Sequence, residues 1–225
     1  MIDNRLTKSE KVIFSLVFLH LIVGVLTFFF DKGIFDLYVI EDGYIENMTA
    51  VMLLFSAAFF IEAAFRNKNK QWRFLLFMAG MVFIFGAGEE ISWGQRIFGL
   101  NTPENLKAIN TQAELNLHNI KVGDVKFNKL IFSAIMYSGI FTYLIVIPML
   151  YQFSNKVRDF AFLFIPVPRL SQGLIYLSFF LLVSIIQDGK LWELQEFTFS
   201  VFLFTTLLYQ QNEQFDEIVG RNTSR

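Results

Sequence analysis

Residues 12–30 read VIFSLVFLHLIVGVLTFFF, nineteen consecutive positions in which His20 is the only titratable side chain. A helix needs about 20 mostly apolar residues to cross a bilayer core that is roughly 30 Å thick. Basic residues precede this run as they precede a signal sequence, but no small-residue cleavage site follows it. The stretch therefore predicts a first transmembrane helix that remains uncleaved as an anchor.

Five further apolar segments follow along the chain, and charged or turn-forming residues bound each of them. They are residues 49–65, 74–93, 130–153, 174–187 and 191–209. Only Asp188, Gly189 and Lys190 separate the last two, which predicts an antiparallel hairpin. The sequence therefore predicts an all-α fold, a polytopic membrane bundle of about six transmembrane helices in one domain covering residues 1–225.

The overall composition agrees with a membrane protein and excludes several other classes. The chain of 225 residues is 54% hydrophobic and 17% aromatic, which is too apolar for an ordinary soluble domain. A net charge of −1 provides no basic field for nucleic acid, so no nucleic-acid partner is expected. With no cysteine and two histidines at different depths, neither an iron–sulfur cluster nor a haem is expected.

The distribution of basic residues orients the bundle, because Lys and Arg are retained on the cytoplasmic side of short loops. Twelve basic residues lie in the N-terminal tail, the second loop, the fourth loop and the C-terminal tail, against seven on the opposite side. This pattern predicts a multi-pass protein of the bacterial cytoplasmic (inner) membrane with both termini in the cytoplasm. Thirteen of the 20 acidic residues fall on the exterior side, although acids contribute little to orientation.

The only long segment outside the membrane is the exterior loop, residues 99–128. Thr102, Pro103 and Glu104 form a typical helix start, with an N-cap residue, a proline at the first helical position and an acid in the first turn. Apolar residues then recur at helical spacing, so we predict a short amphipathic helix lying on the membrane surface.

The exterior end of the third span carries the sequence Gly88-Glu89-Glu90-Ile91-Ser92-Trp93-Gly94-Gln95-Arg96. Carboxylates at membrane depth are costly and are usually functional, so Glu89 and Glu90 are candidate catalytic residues. If the helix continues, Glu89, Trp93 and Arg96 share one face, and Trp93 and Arg96 can form a cation–π pair. An ordinary helix end with a Trp anchor at the headgroups is the alternative interpretation.

Other exterior residues extend this candidate site. His118, in Glu114-Leu115-Asn116-Leu117-His118-Asn119, is the only histidine able to reach the acids, and it is a third candidate catalytic residue, as an acid or a metal ligand. The predicted substrate-binding residues are Arg96, Trp93, Gln95, Asn119 and Glu46. Glu46, Glu193 and Glu196 are candidate ligands for a divalent cation such as Mg²⁺ or Mn²⁺. The helix dipole alone offers a simpler explanation for acids at Glu46 and Glu193.

Taken together, these motifs resemble those of a group of uncharacterised bacterial multi-pass membrane proteins. The resemblance rests on the Gly88–Arg96 and Glu114–Asn119 sequences with Glu41-Asp42-Gly43 upstream, covers most of the chain and implies no known activity. A weaker similarity is to the CAAX-protease and bacteriocin-processing superfamily, whose Glu-Glu-x-x-x-Arg motif Glu89 and Glu90 fit. Gly94 stands where that motif has Arg and Arg96 comes two positions later, so its metal mechanism is not carried over.

Three functions are compatible with the pattern. The first is a membrane-embedded hydrolase or transferase acting on a lipid, a lipid-linked molecule or a membrane peptide, with a carboxylate-rich pocket facing the exterior. The second is a cation- or proton-coupled transporter, and the third is a non-catalytic scaffold or accessory subunit. Membrane lipids are the expected partners, and the sequence identifies neither a protein partner nor a substrate.

Overall fold

The computed structural model describes residues 4–40, 43–110, 113–117, 119–122, 125–126, 136–159 and 165–221. The regular secondary structure of the described residues is helical apart from one small hairpin. Its helices are α1 (Lys8–Phe30), α2 (Lys32–Tyr38), α3 (Tyr44–Arg66), α4 (Lys70–Glu90), α5 (Gln95–Phe98), α6 (Glu104–Lys107), α7 (Met136–Phe141), α8 (Ile147–Phe153), α9 (Asn155–Asp159), α10 (Leu170–Val183), α11 (Leu191–Tyr209) and α12 (Glu213–Ile218). Strands β1 (Lys121–Val122) and β2 (Val125–Lys126) pair antiparallel.

Four helical segments are long and apolar enough to cross a membrane: Lys8–Phe30, Tyr44–Arg66, Lys70–Glu90 and Met136–Phe153. Other parts of the protein leave much of the surface of these helices uncovered, and large apolar side chains such as Phe29, Phe74 and Val82 are exposed there. Exposed apolar faces of this extent are typical of helices that contact lipid. The chain is therefore a multi-pass membrane protein with four candidate spans.

The other two predicted spans correspond to α10 and α11. Helix α10 has only 14 residues, about 21 Å of helix, and α11 carries Glu193, Gln195 and Glu196 in its first two turns. Both helices nevertheless connect the two ends of the bundle. Leu170 N–H, at the start of α10, donates to Asn4 beside α1, and Asp188, between α10 and α11, pairs with Lys32 beyond the other end of α1.

We call the two ends of the bundle the base and the top. The base contains the N-terminal tail, the turn after α3 and the segments 165–169 and 210–221, which hydrogen bonds such as Asn67 to Ile218 and Val167 to Asn212 hold together. The top contains α2, the α10–α11 turn and the described residues between α4 and α7. The four segments predicted to be cytoplasmic thus lie together at the base.

The fourth candidate span is interrupted by a π-helical turn over Thr142–Val146, directly before α8. Pro148 has no N–H to donate within the first turn of α8, which favours such a break in the hydrogen-bond ladder. Helix α10 packs tightly here, because a Cβ added at Gly173 would lie only 1.9 Å from the Leu144 carbonyl oxygen. Only glycine fits at this crossing.

Two hydrophobic clusters form the core. The larger joins α1, α2, α7, α10 and α11, and Phe202 stands at its centre, stacked on Phe14 and edge-on to Tyr176 and Phe179. The smaller lies toward the base, where Phe60 and Phe215 join α3 to α12. Helix α11 contributes to both clusters and is the central helix of the bundle.

Candidate functional site

The helix bearing the two candidate catalytic acids ends earlier than predicted. Helix α4 stops at Glu90, and Ser92, Trp93 and Gly94 follow with φ values of 46°, 55° and 73°, in the left-handed region. The predicted common face of Glu89, Trp93 and Arg96 is therefore wrong. Ser92 and Trp93 adopt an unfavourable backbone conformation for residues with a Cβ, so other contacts must stabilise this turn.

The left-handed turn folds the Trp93 side chain back along α4. Its indole packs against Gly88, where an added Cβ would lie 2.9 Å from the ring, and its Nε1 donates to Glu89 Oε1 at 2.7 Å. The other carboxylate oxygen of Glu89 accepts the Leu117 N–H at 2.6 Å. Glu89 is 4% exposed, and its two oxygens hold the turn and the exterior loop in place.

Glu114 forms a second buried contact between the two sequence motifs. It accepts hydrogen bonds from Ser92 Oγ at 3.1 Å, from Asn116 Nδ2 at 2.8 Å and from Arg96 at 2.8 Å. Asn116 also donates to Ser92 Oγ. Arg96 thus makes an ion pair with Glu114 from a half-exposed position, where the sequence predicted a cation–π pair with Trp93.

The described residues of the exterior loop are mostly non-helical, which corrects the prediction of an amphipathic helix. Its helix α6 begins at Glu104, with Pro103 at the N-cap position that was predicted for Thr102, and ends at Lys107 after a single turn. Thr102 accepts from Gln95 Nε2 and donates to the Ala113 carbonyl, and the Asn110 side chain donates to Asn116. Such side-chain hydrogen bonds offer the backbone an alternative to a helix. We call residues 99–110, 113–117 and 119–122 of this loop the cap.

The remaining predicted acids meet beneath the cap. Helices α3 and α11 run parallel, and Phe55 contacts Phe204 with ring centroids 5.7 Å apart. Glu46 precedes Phe55 by nine residues and Glu196 precedes Phe204 by eight, so both carboxylates lie about 12–14 Å above this contact. Glu46 and Glu196 therefore share one depth near the top.

Glu90 reaches almost the same depth from α4, which runs antiparallel to α3. Gly86 faces Leu53 of α3, so Glu90, one turn further on, is level with Thr49 and less than one turn below Glu46. The Glu90 carboxyl lies within electrostatic range of Glu196, Glu193, Glu46 and Glu89. We call Glu46, Glu90, Glu193 and Glu196 the acid cluster.

One aromatic residue from a fourth helical segment also reaches this cluster. Tyr137, in α7, contacts Trp192 with ring centroids 5.2 Å apart, and its buried hydroxyl lies within electrostatic range of Glu196, Glu193 and Glu90. Within the described residues this hydroxyl has no hydrogen-bond partner. Tyr137 was not predicted, because nothing in the sequence around it distinguishes it from other aromatic residues of the spans.

The structure describes most of the predicted site residues, but not all of them. His118 lies outside the described residues, as does Asp42, while Asn119 is buried in the cap. Gln95 holds the cap through Thr102 and through the Leu115 N–H, which it accepts at 2.8 Å. In the described parts of the chain, no three His, Asp or Glu side chains are arranged to hold a metal ion. The predicted cation site at Glu46, Glu193 and Glu196 therefore stays a prediction.

A second buried polar network, at the base, was missed by sequence reasoning. Glu10 is fully buried, pairs with Arg169 at 2.7 Å and accepts from Gln172 Nε2 at 2.8 Å. Thr7 and Glu10 also form a capping box at the start of α1. The Thr-x-x-Glu pattern before an apolar run is a recognised helix-start signal, but it does not reveal the long-range pair with Arg169.

Beyond the membrane-spanning helices, the top is held by an ion-pair cluster on its surface. Hydrogen bonds to Asp36 and Asp188 raise the pKa of Lys32, and the Lys32 ammonium lowers the pKa of Asp36. The Lys190 N–H, followed by Lys32, lowers the pKa of Asp188. Burial raises the pKa of Tyr38 in α2. The cluster joins α2 to the α10–α11 turn and is solvated, unlike the acid cluster.

Comparison with known proteins adds no assignment: the chain matches no family model, no curated protein and no solved structure.

Proposed function

We propose that the chain crosses the bacterial cytoplasmic membrane six times, with the base in the cytoplasm and the cap outside. The positive-inside distribution supports this orientation, since the basic residues predicted to be cytoplasmic flank the base. The course of α10 and α11 between the base and the top supports two crossings beyond the four candidate spans. A short span such as α10 is accommodated by local thinning of the bilayer.

We further propose that the protein is a membrane-embedded hydrolase or transferase that acts on a lipid, a lipid-linked molecule or a membrane peptide. One observation carries this proposal: Glu46, Glu90 and Glu196 come from three different helices to nearly one depth. Among the described residues, neither Glu90 nor Glu196 has an ion-pair partner. Acids gathered at this depth are costly and are retained where a substrate or proton transfer needs them.

In this proposal Glu90 and Glu196 act as the general acid and base. General acid–base catalysis uses neighbouring carboxyl groups of which one donates a proton and the other accepts one, within hydrogen-bond reach of the substrate. Glu89 is assigned to positioning, because both of its oxygens already hold the Trp93 turn and the cap. Glu46 closes the pocket from α3. His118 is proposed as an additional acid.

The rim of the cluster contains the groups proposed to bind substrate. Trp93 is 43% exposed, and the Arg96 side chain is half exposed while it pairs with Glu114, so an aromatic face and the outer part of a guanidinium lie at the proposed membrane surface. Gln95 and Asn119 are assigned to shaping the cap.

No step of the proposed reaction requires Mg²⁺ or Mn²⁺, and metal analysis of the purified protein tests separately whether either ion is bound. The resemblance to uncharacterised bacterial membrane proteins supports the cellular location and adds no activity.

The decisive experiment compares Glu90→Gln with Glu62→Gln in the native membrane. Glu62 is the matched control because it also lies on a span, near the base, and pairs on the surface with Arg66. We expect lipids, lipid-linked glycans or processed membrane peptides to change in a deletion strain and in Glu90→Gln, while Glu62→Gln matches wild type. Equal amounts of folded protein must be confirmed by thermal unfolding in detergent. If well-folded Glu90→Gln restores the deletion strain fully, the protein is a scaffold or accessory subunit and the catalytic proposal is wrong.

A further inference from the structure

Buried polar atoms without a partner are concentrated along one interface of the bundle. Within the described chain there are seven such side-chain atoms, and all belong to α7, α10, α11 or the turn after α11. They are Tyr137 Oη, Ser171 Oγ, Tyr176 Oη, Gln195 Oε1, Thr206 Oγ1, Gln210 Oε1 and Gln211 Oε1. In native proteins buried polar atoms nearly always have a partner, which is protein or ordered water.

These atoms are spread over the full height of the bundle. Tyr137 lies at the top beside Trp192, and Tyr176 packs against Phe202 of α11 with ring centroids 5.4 Å apart. Thr206 follows Phe202 by one helical turn toward the base, and Gln210 follows Thr206 by another. The polar atoms thus form a row from top to base, which we call the polar seam.

In the upper part of the polar seam, two tyrosines pack against one shared aromatic neighbour. Phe180 of α10 contacts Tyr137 and Tyr176, with centroid distances of 5.9 and 6.4 Å. The two tyrosine hydroxyls lie within electrostatic range of each other.

The upper end of the polar seam meets carboxylates. There the Tyr137 hydroxyl lies within electrostatic range of Glu196 and Glu90 of the acid cluster. At the base the polar seam ends with Ser171 at the start of α10 and with Gln210 and Gln211 after α11. Acids at the end of a buried row of polar groups are typical of proton relays in membrane proteins.

We infer that the polar seam holds water and conducts protons between the base and the acid cluster. Each hydroxyl releases its proton to the next oxygen and receives one from the oxygen before it, so every group returns to its starting state. Gln195 and Gln210 can only accept through these oxygens and thereby orient water. The inference rests on the proposed membrane crossings of α10 and α11, and it does not depend on a catalytic role for the acid cluster.

The test measures proton flux through the purified full-length protein in phosphatidylethanolamine–phosphatidylglycerol liposomes. A potassium gradient with valinomycin drives protons inward, and an enclosed pH-sensitive dye records them. We expect wild type to exceed empty liposomes, and Tyr176→Phe to lower the protein-dependent rate about tenfold or more, as loss of one hydrogen-bonded link implies. The matched control is Tyr143→Phe, because the Tyr143 hydroxyl donates to the Pro166 carbonyl away from the polar seam.

A second variant shows whether a lower rate in Tyr176→Phe is due to misfolding. Thr206→Val keeps the shape of a fully buried side chain, removes its hydroxyl and is expected to lower the rate to a similar degree. A wild-type rate equal to that of empty liposomes overturns the inference, as does an unchanged rate in Tyr176→Phe and Thr206→Val. Because Glu90→Gln is assayed on membrane composition and these variants on proton flux, the two proposals fail independently.

Discussion

The base and the top of the bundle both bury glutamates, and they treat them in opposite ways. At the base, Glu10 is fully buried but fully satisfied by Arg169, Gln172 and the Thr7 N–H. At the top, Glu90 and Glu196 lie among other acids, without an ion pair to any described residue. A paired buried charge stabilises the fold, whereas like charges held close together repel one another and destabilise it. This difference is the reason for placing the proposed function at the top.

The largest expected effect comes from breaking the charge pair at the base. Arg169→Met leaves Glu10 buried without its cation, and losing one partner of a buried pair costs about 3–5 kcal/mol. At roughly 2–4 °C per kcal/mol, we expect the melting temperature in detergent to fall by about 6–20 °C. Tryptophan fluorescence or a thermal aggregation assay measures this shift.

The double variant Glu10→Gln with Arg169→Met is the control. It removes the buried charge together with its partner, so we expect it to recover much of the lost stability. If the double variant melts no higher than Arg169→Met, the loss arises from packing of the arginine side chain rather than from the unpaired carboxylate.

A smaller effect is expected where the cap is attached to α4. Asn116→Ala removes the donor to Glu114 and to Ser92 and one of two acceptors of the Asn110 amide, which keeps its hydrogen bond to the carbonyl of residue 116. Unsatisfied buried groups cost about 1–3 kcal/mol, which corresponds to a fall of about 2–12 °C in melting temperature. Trypsin is expected to cleave faster at Lys107 or Lys121, which lie in the cap.

The control for this prediction is Asn47→Ala at the top of α3. Asn47 is exposed, and its side chain donates to the Gly43 carbonyl, so neither a large shift nor faster cleavage in the cap is expected. Cap cleavage that is equally fast in both variants contradicts the role of Asn116.

The long helices were predictable because membrane spans leave a one-dimensional signal. Residues 12–30 fall within α1, but the helix begins at Lys8, since hydropathy marks the apolar part and the Thr7–Glu10 capping box marks the start. Helix α10 ends at Val183 whereas its predicted span runs to residue 187, because Ser184 and Ile185 form a turn that hydropathy does not detect.

The site was predictable in composition but not in geometry. The sequence identified the acids and paired the Gly88–Arg96 motif with the Glu114–Asn119 motif, since both are polar segments of the same side. It could not predict the left-handed turn at Ser92 and Trp93, because hydrogen bonds to Glu89, Glu114 and Asn116 stabilise that turn from distant positions. Gly94 alone was a local signal for it.

The acid cluster offers the opposite test to the pair at the base, because neutralising an acid there is expected to stabilise the protein. Glu196→Gln removes a charge that Glu46 and Glu90 repel, and its amide keeps the size of the side chain. We expect the melting temperature to rise by about 2–4 °C, corresponding to roughly 1 kcal/mol, while the proposed activity is lost. Glu10→Gln provides the contrast, since it is expected to destabilise. A fall in melting temperature for Glu196→Gln would mean that the glutamate is satisfied by a partner.

The smallest expected effect concerns the solvated ion pairs on the surface of the top, where Lys32 joins Asp36 and Asp188. The pKa of Asp188 is lowered by the Lys190 N–H and by Lys32, so its carboxylate stabilises the folded top above its ordinary pKa, near 4. That contribution is lost as the pH falls through the lowered pKa.

A fluorophore on Leu37→Cys, an exposed position in a chain without cysteine, is expected to show a drop in anisotropy below about pH 4. In Lys32→Gln the anisotropy is expected to be low already at neutral pH and to change little on acidification, since both carboxylates have lost their shared cation. An identical acid transition in Lys32→Gln and in the parent would assign it to other groups, including the acid cluster beneath the cap.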